Sequence, residues 1–118
     1  MWIMTKLGFF SVVEHRGTSD CLLVRARCQT DIENITAKTG NTWWQDDLAD
    51  YPYRTTCYRD KWAEVLADTA KDIDYDNFKS SIKDERHLAA YHRVWMDMQY
   101  IDDRVTSSGE RFGDMLWP

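Results

Sequence analysis

The sequence predicts an α+β domain, and three observations lead there. Residues 22–28, LLVRARC, alternate strictly, with Leu22, Val24, Ala26 and Cys28 on one side and Leu23, Arg25 and Arg27 on the other. That is the two-residue period of a strand with one buried face. Farther on, Trp62, Val65, Leu66, Ala70 and Ile73 recur at helical spacing. Finally, 118 residues that are 43% apolar and include six Trp suffice for one compact core, and five Gly with two Pro are too few for wholesale disorder.

The elements follow in order. Residues 2–6 and 9–15 are rich in β-formers and flank Leu7-Gly8, so they make two strands or one long strand bent at Gly8. RGTSD, residues 16–20, is turn chemistry, and the 21–28 strand comes next. Thr30-Asp31-Ile32-Glu33 reads as a capping box that opens a helix to about Lys38, with Gly40 as its stop. Trp43-Trp44 centre a strand over 42–45, DDLAD turns the chain, and residues 51–58 return, Pro52 marking an edge or a strand start. Asp60 then caps the helix of the Trp62 stripe.

Residues 75–82 form a further short turn or helix, with Phe78 and Ile82 one helical turn apart. Asp84 opens a long helix to about Asp103 whose stripe is Leu88, Tyr91, Trp95 and Met98. The predicted order is β-β-α-β-β-α-α: an antiparallel sheet of about four strands with helices on one face, nearest to a ferredoxin-like sandwich. Residues 1–106 are read as a single domain. Residues 107–118, which open with Ser107-Ser108-Gly109, are read as a tail partly docked through Phe112, Leu116 and Trp117.

Charge narrows the function classes. The net charge is −5 and uneven: residues 1–41 hold five basic and four acidic residues, and the remainder ten basic and sixteen acidic. Direct nucleic-acid binding is disfavoured by that balance, and an acidic surface is favoured. Cys21, Cys28 and Cys57 are odd in number and form no CxxC pair, which suits a reducing cytoplasm better than a secreted, disulfide-held domain. The apolar opening MWIMTKLGFFSVV is interrupted by Lys6 and Gly8 and is too short for a membrane span.

No catalytic residue, metal or cofactor is expected. His15, His87 and His92 are the only histidines. His87 and His92 are five positions apart, about 140° around a helix, and so do not share a face as paired ligands would. Cys28 or Cys57 with a histidine would make a nucleophilic pair, but spacing selects no such pair. Asp46, Asp47 and Asp50, like Asp102-Asp103, are carboxylates of the kind that hold Mg²⁺ in a nuclease, yet they lie where a turn and a helix end are expected.

Two surfaces stand out. Glu64, Asp68 and Asp72 recur at i, i+4 and i+8, partly offset by Lys61 and Lys71, and Asp74 and Asp76 extend the acidity. This ridge is the candidate partner-binding surface, suited to a basic groove on a larger host protein. The other is cationic: Arg25 and Arg27 face away from the Val24 side, and Arg54 shares a face with Thr56 and Tyr58. These three arginines would either hold phosphate or a stacked base, or pair with Glu14 or the C-terminal acids, the tail then covering the sheet. Self-pairing is the favoured expectation.

The segments MWIMTKLGFFSVV, LLVRAR, YPYR and DIDYDNFK, in that order, resemble a group of small, uncharacterised bacterial and phage proteins that open Met-Trp-Ile-x-Thr-Lys-x-Gly-Phe-Phe-Ser-Val-Val. The resemblance covers about residues 1–100 and implies a shared fold; it carries no catalytic role. Together with small size and charge asymmetry, it leads to the expected function: a non-enzymatic protein-interaction module, a phage or mobile-element inhibitor of a host nucleic-acid-binding defence complex. The alternative is a small nucleic-acid or nucleotide-binding protein using the arginine face, with metal-dependent nuclease activity as its extension.

Overall fold

The structure is a computed structural model, and residues 1–104 are described. The chain divides into two compact units, Met1–Asp74 and a second beginning at Tyr75.

In the first unit, β1 (Trp2–Thr5) and β2 (Gly8–Glu14) form a hairpin around Lys6-Leu7, and β3 (Cys21–Ala26) continues the meander. Then come α1 (Gln29–Thr39), β4 (Trp43–Gln45), β5 (Tyr53–Tyr58) and α2 (Arg59–Lys71). The five strands lie in the order β1-β2-β3-β5-β4, every neighbour antiparallel. An α+β fold with an antiparallel sheet is therefore present. The expected count of about four strands and the order β-β-α-β-β-α-α are corrected, as is the ferredoxin-like comparison: three strands precede the first helix, and β5 lies between β3 and β4.

Lys6-Leu7 is a hairpin corner, with Gly8 opening β2 opposite Thr5, and not a bend in one strand. Thr5 closes it, its Oγ1 donating to the Gly8 carbonyl at 3.1 Å and accepting the Leu7 N–H at 3.0 Å. Gly8 has φ +141°, and a Cβ there would lie 2.2 Å from Cγ of Asp31. Only glycine meets both demands. Asp31 is 4% exposed, and its carboxylate accepts the Phe9 N–H at 3.0 Å. The nearby Asn34 Nδ2 donates to the Leu7 carbonyl at 3.0 Å. Helix α1 thus grips the first hairpin at two points.

The start of the helix is a second departure from expectation. Helix α1 begins at Gln29 with Cys28 as N-cap and no side-chain cap, so Thr30 is not the capping residue. At the other end Gly40 stops the helix in a left-handed conformation, φ +79°, its N–H donating to the Thr36 carbonyl at 2.8 Å.

Helices α1 and α2 cover one face of the sheet. Phe10, Val24, Ala26 and Ile32 are fully buried there, with Val12, Leu22, Ile35, Cys57, Trp62 and Val65 completing the core. Helix α2 starts with Tyr58 at its N-cap, which puts Asp60 in the first turn instead of at the cap. It ends at Lys71, so Ile73, expected in the stripe, lies outside the helix and is 54% exposed.

In the second unit, α3 (Phe78–Ser81) precedes α4 (Glu85–Asp97). Asp84 caps α4, its carboxylate accepting the His87 N–H at 2.9 Å. Tyr91, 5% exposed, stacks on Phe78 with ring centroids 5.6 Å apart. The helix ends short of Asp103 because Met98–Ile101 tightens into a 3₁₀ turn. The expected tail, residues 107–118, lies outside the described residues. No helix among the described residues is long and apolar enough to cross a membrane.

Candidate binding surface on the open face of the sheet

Strand register builds this surface. Trp2 pairs with Ser11, Ser11 with Arg25, Arg25 with Arg54, and Arg54 with Trp44. Directly opposed residues share a face, so one row crosses all five strands: Trp2, Ser11, Arg25, Arg54, Trp44. The face is the one that α1 and α2 leave open, because Phe10, Val12, Val24 and Cys57 alternate with it on the covered side. Trp2 is 76% exposed and Trp44 44%, and Arg25 and Arg54 are half-buried.

Arg25 is held in place. Its Nη2 donates to Ser11 Oγ at 2.7 Å and its Nε to the Ser11 carbonyl at 3.4 Å; Ser11 itself is 1% exposed. The guanidinium carbon of Arg25 lies 4.8 Å from the Tyr51 ring centroid and that of Arg27 lies 4.4 Å from it, both within cation–π range. The Arg27 Nη1 also donates to the Asp50 carbonyl at 3.1 Å. Tyr51, from the β4–β5 loop, is 5% exposed, and Phe9 and Trp2 extend its ring series at centroid spacings of 6.4 and 6.3 Å.

None of these arginines forms an ion pair with a carboxylate among the described residues. Glu14, an expected partner, instead pairs with Arg59 at 3.7 Å. Pairing with Glu14 is thus absent, and Arg25 and Arg27 instead meet a hydroxyl, backbone carbonyls and an aromatic ring; the C-terminal acids, the other expected partners, lie outside the described residues. Arg54 stands directly across from Arg25 with no acid between them. Like charges at opposed cross-strand positions destabilise a sheet by about 0.2–1 kcal/mol.

The acidic ridge is exposed at Glu64, Asp68, Asp72 and Asp74, and Asp76, also exposed, belongs to the second unit. Part of it is neutralised locally: Glu64 pairs with Lys61 and Asp74 with Lys6, each at 3.3 Å. Asp72 ends α2, its N–H donating to the Asp68 carbonyl at 3.0 Å.

The other candidates have local roles. Asp46 accepts the Leu48 N–H, Asp47 accepts from Gln45 Nε2 and Asp50 accepts the Tyr51 N–H, which is hairpin chemistry. Asp102 pairs with Arg104, and that guanidinium holds its carboxyl well below the usual range. Burial pushes the Cys57 thiol up, nearby Cys21 adds to the shift and Lys61 opposes it; a poised nucleophile needs the reverse. His15 Nδ1 accepts the Gly17 N–H, His87 meets Asp84, and His92 stacks on Trp95.

Sequence reasoning missed Trp2, Phe9, Ser11, Trp44 and Tyr51 as members of the arginine surface. Alternation within 9–13 would have grouped Phe9 and Ser11, and Trp2 joins them only through the hairpin register that sets it opposite Ser11. The partnership of Arg25, Arg54 and Trp44 depends on a non-local register. Compared with protein-family models, with curated proteins and with solved structures, the chain matches none.

Proposed function

We propose that the protein is a non-enzymatic binding module that engages a polyanionic partner on its open sheet face through Arg25, Arg27 and Arg54. One observation carries the reading: Arg25 and Arg54 are Cα partners on adjacent strands, and neither has a carboxylate counterion among the described residues. Two cations set side by side without an acid are matched by an anion that bridges them. Ser11 and Tyr51 pre-orient Arg25, which lowers the ordering cost of binding. Titration with inorganic polyphosphate at low salt tests this. Binding that Arg54→Ala abolishes supports it; equal affinity of the variant and the parent rejects it.

A second reading keeps the acidic ridge as the contact surface. Asp68 and Asp72 are exposed and form no ion pair among the described residues, unlike Glu64 and Asp74. They would enter a basic groove on a larger host protein, as an inhibitor of a nucleic-acid-binding defence complex would. The triple change Glu64→Lys, Asp68→Lys, Asp72→Lys should then abolish capture of that host protein while leaving the melting curve unchanged. Capture that persists removes this reading.

A further inference from the structure

Resting on the arginine-face reading above, we infer that the polyanion is a single-stranded nucleic acid, with bases stacked on Trp2 and Trp44 and phosphate held between them by Arg25 and Arg54. The row geometry is the first argument. Trp2 and Trp44 stand on the two edge strands, and the two arginines occupy adjacent strands between them. Four inter-strand steps of about 4.8 Å separate the tryptophans by about 19 Å. A single nucleotide does not reach both rings, so the occupant is a polymer.

Ring exposure is the second argument. Large indoles left 76% and 44% exposed at both ends of a cationic row add nothing to the core. Flat rings beside guanidinium groups are what an unpaired base and its phosphate require, and stacking tolerates any base because each has a π-face. An acidic peptide matches the face less well. Peptides add to sheets at edges, through backbone groups, whereas the interior of this face offers none, its ladder being complete from β2 through β5.

Charge complementarity is the third. The chain is −5 overall, but the ridge carboxylates named above lie on α2 or beyond it, and this row contains only cations, indoles and a hydroxyl. Binding should therefore be short-ranged. With two or three phosphates contacted, log affinity should fall with log salt at a slope of only about −1.4 to −2.

The experiment is a low-salt anisotropy titration of the whole chain against three probes: a labelled oligonucleotide of about ten nucleotides, inorganic polyphosphate, and poly-glutamate. Trp2→Ala, Trp44→Ala and Arg54→Ala are measured beside the parent, with a melting curve for each. Trp2 is exposed enough that its variant keeps the fold even if Trp44→Ala does not. We expect the oligonucleotide to bind best, and each tryptophan variant to lose about tenfold or more for it alone. Polyphosphate binding equal to the oligonucleotide's and untouched by Trp2→Ala would overturn the nucleic-acid inference and leave the anion-binding face standing. Preference for poly-glutamate would overturn it in favour of an acidic protein. If none of the three binds, both the inference and the reading beneath it fall.

Discussion

The two faces of one sheet are made from alternate residues of the same strands, and they differ in what accounts for each choice. On the covered face Phe10, Val24, Ala26 and Cys57 are at most 1% exposed beneath α1 and α2. Volume and hydrophobicity explain every one of them. On the open face their neighbours are Ser11, Arg25, Arg54 and Thr56, and the row ends in two exposed tryptophans. Packing does not call for arginine opposite arginine, and cross-strand electrostatics opposes it. The covered face is thus accounted for by packing, while the arginine row of the open face is not accounted for by ion pairs among the described residues.

The largest test of that contrast is Trp62→Ala. Trp62 is 4% exposed, and its buried indole N–H has no hydrogen-bond partner among the described residues. The loss is therefore one of packing, about 3–5 kcal/mol in chemical denaturation. A change below about 1 kcal/mol would show that α2 does not seal the covered face.

Arg25→Ala should come next, destabilising by about 1–3 kcal/mol because it strips a charged donor from a 1% exposed serine. An unchanged midpoint would mean that Ser11 does not anchor this side chain.

Alkaline pH probes the covered face differently. Burial raises the Cys57 thiol, with Cys21 adding to it. The folded state disfavours the thiolate, so the Cys57 contribution to stability is fully present below the unfolded thiol's pKa of about 8.5 and is lost as pH rises from there toward the raised folded value. The slope is at most about 1.4 kcal/mol per pH unit. Cys57→Ala should flatten this limb; an unaltered alkaline slope would assign it to another group.

The smallest effect has the opposite sign. Arg54→Ala removes the repulsion across β3 and β5 and should stabilise by about 0.2–1 kcal/mol, raising the melting temperature while abolishing polyanion binding. A lower melting temperature would show that Arg54 serves the fold, and the contrast between the faces would weaken.

Much of this was legible in the sequence, and the limits have physical causes. Strict alternation in 22–28 separates the two faces of β3, and Gly40 and Asp84 mark helix boundaries where the structure has them. Local rules failed where a distant partner intervened. Asp31 looks like the interior of a capping box, yet its carboxylate accepts from Phe9, and Gly8 is demanded by that approach as well as by its corner. The surface was half legible. Arg25 and Arg54 are visible as outward residues, but their opposition depends on β5 pairing with β3 across an intervening helix and strand, and no periodicity encodes that. Tyr51 reads as a strand residue by its β-forming neighbours, yet it belongs to the loop that lies against the arginines.

The strand order has a kinetic consequence. Residues 2–26 form a three-stranded meander and residues 43–58 a hairpin, each closed by short-range pairing. Only the β3–β5 seam joins them, and it requires the segment carrying α1 to close first, so it is the slow, long-range step of sheet assembly. Arg25 and Arg54 sit astride that seam. Their mutual repulsion opposes pairing within this six-residue ladder, the longest in the sheet, and an anion spanning both arginines would clip the two sub-sheets together. Amide exchange along β3 and β5 should therefore slow on ligand binding by more than exchange at the β1–β2 corner.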